Sequence, residues 1–283
     1  MPGEETAVKV MGGFKRRVSL TLTRILSRNV IFILGCQRSG TTLCYMMLTS
    51  HPRITGLNED ESGNRYPTWR QILKNTLGGQ RTCYKLIVKV GDLKNIQTWF
   101  PQAKIVWMIR HPYSVISSMK SLLIKEEGKN WIDGYGIREL DRLKPLFPEI
   151  NQLDVEHLDN VSKGAYVWNY KAIAIADYAK AGYKENILRY EELLKEPECA
   201  MKNVLRPIGV GWSPEVLRHE KHHAGKRYDG GTSGDKPLEI NRSAFTHDLN
   251  PDEIQKINAI CHTEMMKLGY AVEENKALCK KSA

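Results

Sequence analysis

The most constraining feature of this sequence is a short apolar run that ends in a glycine-containing loop. Residues 30–34 are Val-Ile-Phe-Ile-Leu, and Gly35 follows at once. A continuous run of β-branched and apolar residues of this length predicts a strand buried on both faces, as in a parallel sheet. From Thr41 apolar residues recur at helical spacing as far as His51-Pro52, where a helix should end. The segment therefore predicts a strand, a loop and a helix, in that order.

The same order of elements recurs twice along the chain. The apolar run at 104–109 precedes a helical pattern that begins near Pro112, and residues 186–190 precede another at 191–197. Strands that alternate with helices predict a parallel sheet covered on both faces. We therefore expect an α/β fold, a single domain with a central parallel β-sheet flanked by helices on both faces.

Three other regions carry different patterns. The polar stretch from about Lys125 to Asn160, with clustered Gly, Pro and Asp, predicts an excursion near a substrate cleft rather than core. The stretch from His219 to Asp235 is basic and then glycine-rich, which predicts a mobile loop. Residues 252–268 predict a final helix.

The length of 283 residues suits one large domain. We expect a basic N-terminal segment at 1–28, the main domain at 29–271 and a tail at 272–283. The N-terminal segment interleaves basic and apolar residues, so it is either an amphipathic helix that makes peripheral contact with a membrane or a solvated leader. The chain has 42 Lys and Arg against 32 Asp and Glu, and the resulting charge of +10 indicates an anionic partner.

Cysteine spacing and hydropathy bear on the compartment. The six cysteines form no CxxC pair, which predicts neither a zinc site nor a disulfide framework. No stretch reaches the roughly 18 apolar residues of a transmembrane helix, and the N-terminus lacks the apolar core of a signal peptide. We expect a cytoplasmic protein.

The loop after the first strand has the spacing of a phosphate loop. Gly35 and Gly40 keep the GxxxxG pattern, so that backbone N–H groups and the start of the next helix can converge on an anion. A nucleotide-hydrolysing loop places Lys directly after its second glycine, whereas this chain has Thr41 there and carries its cation at Arg38. The pattern predicts a P-loop-type domain without the usual triphosphate grip.

A second candidate anion site follows the strand at 104–109. Arg110 ends this strand, where an enzyme that binds Mg²⁺ and a triphosphate would place an acidic ligand. Ser118 falls eight residues later, about two turns into the predicted helix. Ligands of doubly wound sheets bind beyond the carboxyl ends of the strands. Both loops should therefore face one elongated molecule with anionic groups at two positions.

Several motifs together resemble the superfamily of sulfotransferases that use 3′-phosphoadenosine-5′-phosphosulfate (PAPS). GCQRSGTT at 35–42 is similar to its 5′-phosphosulfate loop in the bacterial and Golgi-type form, RHPYSVISSM at 110–119 to its 3′-phosphate motif, and ILRYEELLKEP at 187–197 to its later strand-turn-helix segment. The resemblance covers roughly residues 29–270. It implies PAPS as the sulfuryl donor and adenosine 3′,5′-bisphosphate as the product. We expect no metal, because a sulfuryl group carries less charge than a phosphoryl group and Arg38 already supplies a cation.

The resemblance also implies which residues bind the donor. The expected contacts are Gln37, Arg38, Ser39, Gly40, Thr41 and Thr42 at the phosphosulfate, Arg110 and Ser118 at the 3′-phosphate, Tyr190 near the adenine, and Lys236 and Arg242 as a closing loop.

Catalysis should need a cation at the leaving phosphate and a base at the acceptor. Arg38 is the expected cation. Cytosolic members use a histidine where this chain has Gly91, whereas Golgi-type members use a glutamate after the first helix, which makes Glu59 the expected base and Asp60 or Glu61 the alternatives. Lys89 matches a basic position near the family's active site.

The sequence leaves the acceptor open. A hydroxyl or an amine on a small molecule, glycan, lipid or peptide fits this reading, no nucleic acid is expected as a partner, and the oligomeric state is undetermined. Two other functions remain as alternatives: a P-loop kinase, which would bind ATP with Mg²⁺, and a non-catalytic polyanion-binding protein that uses the net charge alone.

Overall fold

The structure of the chain is a computed structural model. The structure describes residues 21–57, 66–124, 129–228, 232–239 and 248–273. No helix within these ranges is both long enough and apolar enough to cross a lipid bilayer.

A five-stranded, fully parallel sheet forms the centre of the molecule. Its strands lie in the spatial order β2-β3-β1-β4-β7. They are β1 (Val30–Gly35), β2 (Ile54–Leu57), β3 (Arg81–Lys85), β4 (Lys104–Ile109) and β7 (Ile187–Arg189). Two pairs of short antiparallel strands lie outside it, β5 (Leu123–Ile124) with β6 (Lys129–Asn130) and β8 (Arg227–Tyr228) with β9 (Thr232–Ser233).

Helices cover both faces of this sheet. In the described part of the chain they are α1 over residues 21–27, α2 (Thr41–Thr49), α3 (Trp69–Leu77), α4 (Leu93–Trp99), α5 (Pro112–Ser121), α6 (Trp131–Leu143), α7 (Asn160–Lys180), α8 (Tyr190–Lys195), α9 (Pro197–Ile208), α10 (His219–His222) and α11 (Pro251–Lys267). Short 3-10 turns occur at Ile87–Lys89, Pro148–Gln152 and Pro214–Leu217. The predicted α/β fold class is confirmed.

The central strands are buried on both faces, as their unbroken apolar runs predict. Phe32 and Leu34 of β1 pack into one core layer with α5, α7 and α11, whereas Ile31 and Ile33 pack into the other with α2 and α9. Successive side chains of a strand point to opposite faces, so the run supplies both layers. Trp107 and its neighbours on β4 divide in the same way.

Two expectations about the less regular regions need correction. The stretch from Lys125 to Asn160 contains helix α6, which buries Ile132, Leu140 and Leu143 in the main core. Its apolar residues recur at helical spacing among the polar ones, and this pattern was overlooked. The segment from His219 to Asp235, predicted as a mobile loop, contains α10, β8 and β9, and is anchored where the buried His223 ring contacts Thr49 at 3.0 Å.

We predict that Gly35→Ala destabilises the fold by about 3 kcal/mol. Gly35 has a φ of 138°, and a Cβ there would lie 2.3 Å from the Met108 carbonyl oxygen of the adjacent strand. A backbone atom in the middle of a sheet cannot move aside. Urea unfolding measures the loss. Gly211→Ala is the matched control because a Cβ at Gly211 meets nothing within 4 Å, and a loss as small as that of the control would contradict the prediction.

Candidate active site

A crevice forms where β1 and β4 end. These strands are adjacent, and Gly35 lies in register with Met108. The chain leaves β1 towards β2 and β3 on one side and leaves β4 towards β7 on the other. Neighbouring parallel strands whose connections diverge open a crevice at their carboxyl ends, which is the usual ligand site of such sheets.

The loop that follows β1 is sharply bent. Arg38 has a φ of 66° and is the one non-glycine residue with positive φ among the described residues. Gly40, with a φ of 91°, precedes α2, whose start has neither a capping side chain nor an acidic residue in its described first turn. The positive end of α2 is therefore left for another anion. The Ser39 hydroxyl beside it is fully buried and makes no hydrogen bond with the described residues.

Two arginines from different loops meet at this point. Arg38 donates from Nε to the Ser118 hydroxyl at 3.0 Å, and Arg110 donates from Nη1 to the Arg38 carbonyl at 3.3 Å. Burial, and next the charge of Arg110, lower the pKa of the Arg38 guanidinium from its ordinary value. An arginine still remains protonated. The arrangement holds two like charges close together and partly out of water, which favours an anion between them.

The Tyr190 ring lies against both Arg110 and Gly40. The Arg110 guanidinium carbon lies 4.6 Å from the centre of the Tyr190 ring, a cation–π contact. A Cβ on Gly40 would lie 2.5 Å from the same ring, so only glycine allows the loop to approach it this closely. Gly40, Arg110 and Tyr190 therefore meet at one place, although they come from three separate segments.

The protein holds the backbone around Arg110 firmly. The Trp168 indole donates to the Arg110 carbonyl at 3.0 Å, and the His111 N–H donates to Glu191 at 2.8 Å. The His111 ring accepts from Tyr113 N–H and donates to the Ala271 carbonyl, which fixes its neutral tautomer. The second anion site is thus built on fixed backbone.

A cavity of about 330 Å³ extends from these residues. Its polar walls include Arg38, Thr41, Thr42, Arg110 and Lys236, and its apolar walls include Leu43, Met46, Leu194 and Leu238. The cavity is also lined by Thr232, Ser233, Glu239 and His219. His219 is 1% exposed, and its Nδ1 makes no hydrogen bond with the described residues. Burial lowers the pKa of His219, so near pH 7 its Nδ1 can act as an acceptor.

Lys85 is a basic residue of the site that the sequence analysis missed. It ends β3 next to β1, is 2% exposed, and its Nζ lies 3.4 Å from the Thr42 hydroxyl. A lysine at the end of a strand beside the phosphate loop was the available signal, but β3 itself was not recognised. Lys89, expected near the site, lies in the 3-10 turn Ile87–Lys89 with its Nζ 5.9 Å from the centre of the Tyr66 ring, and its role at the site stays a prediction.

Gln37 belongs to a buried polar network beneath the loop. The Lys171 ammonium donates to the Gln37 side-chain oxygen at 2.7 Å, to Glu139 at 2.8 Å and to the Ile87 carbonyl at 2.9 Å. Lys171 and Glu139 are each 2% exposed, and Arg142 also pairs with Glu139. The side-chain oxygen of Gln37 is therefore directed inward at Lys171.

The remaining expected residues divide into two groups. Ser39 to Thr42, Arg110, Ser118, Tyr190 and Lys236 all lie at the crevice or its cavity. Glu59, Asp60, Glu61 and Arg242 lie outside the described residues. Among the described side chains, no group of three His, Cys, Asp or Glu residues could hold a metal ion.

A glycine-containing loop at the crevice of a doubly wound sheet, faced by an arginine from the next strand, is the arrangement of α/β proteins that bind an anionic group at the start of a helix. The sequence matches the model of the sulfotransferase family over residues 30–77 and 66–214. The chain belongs to this family, and the predicted family is confirmed.

Known proteins similar to this chain include two protein-tyrosine sulfotransferases. Protein-tyrosine sulfotransferase A of Caenorhabditis elegans is 22% identical over 68% of this chain and 52% of its own length. Protein-tyrosine sulfotransferase 1 of Danio rerio is 24% identical over 87% of this chain and 73% of its own length. The matching region thus spans only about half of the C. elegans protein.

Two solved structures were also compared. The sulfotransferase domain of the Synechococcus PCC 7002 olefin synthase has a TM-score of 0.49 at 17% identity, over 86% of this chain and 95% of its own. A sulfotransferase from Alicyclobacillus acidocaldarius has a TM-score of 0.49 at 14% identity, over 89% of this chain and 98% of its own.

We predict that Lys171→Met lowers the free energy of unfolding by about 3 kcal/mol, because it removes the main partner of the buried Glu139 carboxylate. Lys171→Met/Glu139→Gln should recover a large part of this loss. Urea unfolding of both variants and the wild type measures the difference. A double variant as unstable as the single one would show that the charge of Glu139 is not the cause.

The same network predicts a pH dependence of stability. Burial alone would raise the pKa of Glu139, but the Lys171 charge holds it below its ordinary 4.5. A carboxyl group with a depressed pKa stabilises the fold fully above its unfolded value and loses that contribution as the pH falls. We expect the wild type to lose more stability than the double variant between pH 5 and 3, as measured by urea unfolding.

Proposed function

We propose that this protein is an enzyme that transfers a sulfuryl group from PAPS to a hydroxyl or amine acceptor. The observation that carries this proposal is the meeting of Arg38, Ser118 and Arg110 at the uncapped start of α2. The site offers cations and helix N–H groups but, among its described residues, no carboxylate cluster for Mg²⁺. That chemistry suits an anion held without a metal.

The described residues fit such a donor. Its 5′-phosphosulfate would be held by residues 37–42, where the buried Ser39 hydroxyl and the positive end of α2 provide donors. Arg110, Ser118 and Lys236 would hold the 3′-phosphate. Leu43, Met46, Leu194 and the Tyr190 ring offer apolar surface to an adenine. The donor supplies the sulfuryl group and leaves as adenosine 3′,5′-bisphosphate.

Arg38 would stabilise the charge that develops on the oxygen between sulfur and the leaving phosphate. Its Nε is held by Ser118, so the guanidinium is oriented before reaction. An arginine keeps its proton and acts here by charge and hydrogen bonds. Lys85, next to Thr42, brings a second cation to the same side of the loop. We propose Glu59, with Asp60 and Glu61 as alternatives, as the base that takes the acceptor's proton.

We extend the proposal to the acceptor and the compartment. Small-molecule, glycan, lipid and peptide acceptors remain the proposed classes, and the names of the two relatives single out a tyrosine hydroxyl among the peptide acceptors to be tested. The described cysteines, Cys36, Cys44, Cys83, Cys199 and Cys261, are free thiols, which supports a reducing compartment such as the cytoplasm.

We predict saturable binding of adenosine 3′,5′-bisphosphate without metal, and weaker binding of ATP with Mg²⁺, because Arg38, Arg110 and Lys236 line the cavity and the usual P-loop lysine is replaced by Thr41. Isothermal titration calorimetry measures both affinities. Tighter binding of ATP that depends on Mg²⁺ would instead support a kinase. Incubation with ³⁵S-labelled PAPS and an acceptor panel, including a tyrosine peptide, a glycan and a long-chain alcohol, then tests transfer itself.

We predict that Arg38→Ala lowers kcat by about 10²- to 10³-fold, the usual effect of removing one such donor. Arg38→Gly should be equally inactive but at least as stable as the wild type, because glycine relieves the positive φ of this position. Turnover with the best acceptor of the panel and urea unfolding measure the two effects. Arg70→Ala, at an exposed site on α3, is the control. Near-normal turnover in Arg38→Ala would remove Arg38 from the mechanism.

A further inference from the structure

A row of cations lies along the edge of the sheet opposite the candidate active site. Each strand of the main sheet is preceded by, or begins with, a basic residue. These five residues are Arg28 before β1, Arg53 before β2, Arg81 at the start of β3, Lys104 at the start of β4 and Lys184 before β7. The amino ends of parallel strands share one edge, so the fold gathers five cations that are far apart in sequence.

Like charges in this set act on one another, and no acidic partner of the five lies in the described part of the chain. Within the described residues none of them forms an ion pair, whereas Lys120, Lys180, Lys202, Lys256 and Lys267 elsewhere on the surface each pair with a carboxylate. Burial, and next the charges of Arg81, Lys184 and Arg28, lower the pKa of Lys104. Burial and the charge of Arg53 lower the pKa of Arg81. Unrelieved repulsion of this kind is typical of a surface that meets an anion.

Structural roles explain only some of the cations in this row. Arg81 donates to the Arg28 carbonyl at 2.8 Å and to the Gly209 carbonyl at 3.4 Å, so it ties strand β3 to two neighbouring segments. Arg28, Arg53 and Lys184 are exposed, and their side chains make no hydrogen bond with the described residues. Glu185, next to Lys184 in sequence, is exposed, and in the described part of the chain it forms no ion pair with any of the five cations. The exposed cations therefore contribute nothing visible to the fold.

Exposed apolar side chains lie beside this row of cations. Leu22 and Ile25 on α1 are 51% and 52% exposed, although Leu26 of the same helix is in the core. A hydrogen bond from the Gln102 N–H to the Ser27 hydroxyl at 3.2 Å fixes α1 to this edge, and the Asn29 side-chain amide, just after α1, donates to the Thr76 hydroxyl at 3.3 Å. Two more exposed apolar residues are near these contacts in sequence: Leu77, 80% exposed, follows Thr76, and Trp99, 43% exposed, precedes Gln102 by three positions.

We propose that this edge, formed by the five cations together with Leu22, Ile25, Leu77 and Trp99, is a docking surface for a membrane rich in anionic lipids. Cations flanked by apolar side chains match the interface of such a membrane, where headgroup phosphates and acyl chains are both within reach. A nucleic acid would use the cations but gain little from exposed leucine and isoleucine. Strand β1 is six residues long, so the surface lies about 20 Å from the phosphate loop. The cavity therefore faces away from the bilayer, and docking leaves it open.

Vesicle sedimentation tests the surface with the full-length chain. Wild type should bind vesicles of phosphatidylcholine with 30% phosphatidylglycerol and should not bind phosphatidylcholine alone. Arg28→Gln/Arg53→Gln/Lys184→Gln should weaken binding about a hundredfold, since each cation near an anionic surface contributes roughly fivefold. The control with the same net charge is Lys129→Gln/Arg138→Gln/Lys195→Gln, at exposed positions elsewhere. Equal losses in both variants would reduce the effect to net charge and overturn the proposal.

The apolar contribution has its own test. Leu22→Ser/Ile25→Ser should weaken vesicle binding about tenfold or more, whereas Leu123→Ser/Met266→Ser, at other exposed apolar positions, should not. Duplex DNA of 20 base pairs is the competing ligand. DNA binding as tight as vesicle binding and unaffected by the Leu22/Ile25 change would assign the surface to nucleic acid instead. Thermal unfolding of each variant confirms that the fold is retained. Bisphosphate binding should be unchanged throughout, so this surface and the proposed enzymatic site can fail separately.

Discussion

The pairing of β1 with β4 is the contact on which the candidate active site depends. Gly35 and Met108 lie side by side in these central strands, and the space between them is too small for a Cβ. Because the chain leaves the two strands in opposite directions, their loops approach each other only at this crevice. Each loop contributes one arginine, Arg38 or Arg110, and neither segment alone would form the site.

Bringing these cations together costs free energy, and several features of the site offset that cost. Ser118 accepts a hydrogen bond from Arg38, and the Tyr190 ring lies beneath Arg110. The positive φ of Arg38 adds backbone strain at the same place. Strain and like-charge repulsion at one loop are typical of a site whose ligand relieves them. The buried Lys171–Glu139 pair below the loop holds Gln37 and keeps this geometry in place.

The parallel sheet also separates two cationic regions. Its carboxyl edge carries the phosphate loop, with Arg38, Arg110 and Lys85 close together. Its amino edge carries the cations that precede or begin the strands. Cations therefore gather at both ends of the strands. A sheet with both faces covered by helices exposes its edges, so the two ends of the strands are where charged residues can meet partners.

Much of the fold followed from local patterns. The apolar runs of β1 and β4 predicted buried strands, and the glycines at 35 and 40 predicted the phosphate loop between β1 and α2. Strand β3 escaped recognition because Arg81–Lys85 is only five residues long and has apolar side chains only at Cys83 and Tyr84. Lys85 was missed with it. Helix α6 was missed because its apolar face is interrupted by glycines and charged residues that look like a loop.

The sequence by itself determined the central strands, the phosphate loop, the family and Arg38 with Arg110 as the cations to examine. Those features depend on residues near one another along the chain, whose side-chain periodicity and backbone freedom can be read directly. Tertiary structure decided that Lys85 lies beside Thr42, that Lys171 reaches Gln37 from 134 positions away, and that five cations share one edge of the sheet. These placements depend on strand order, and strand order is fixed only when the whole core packs.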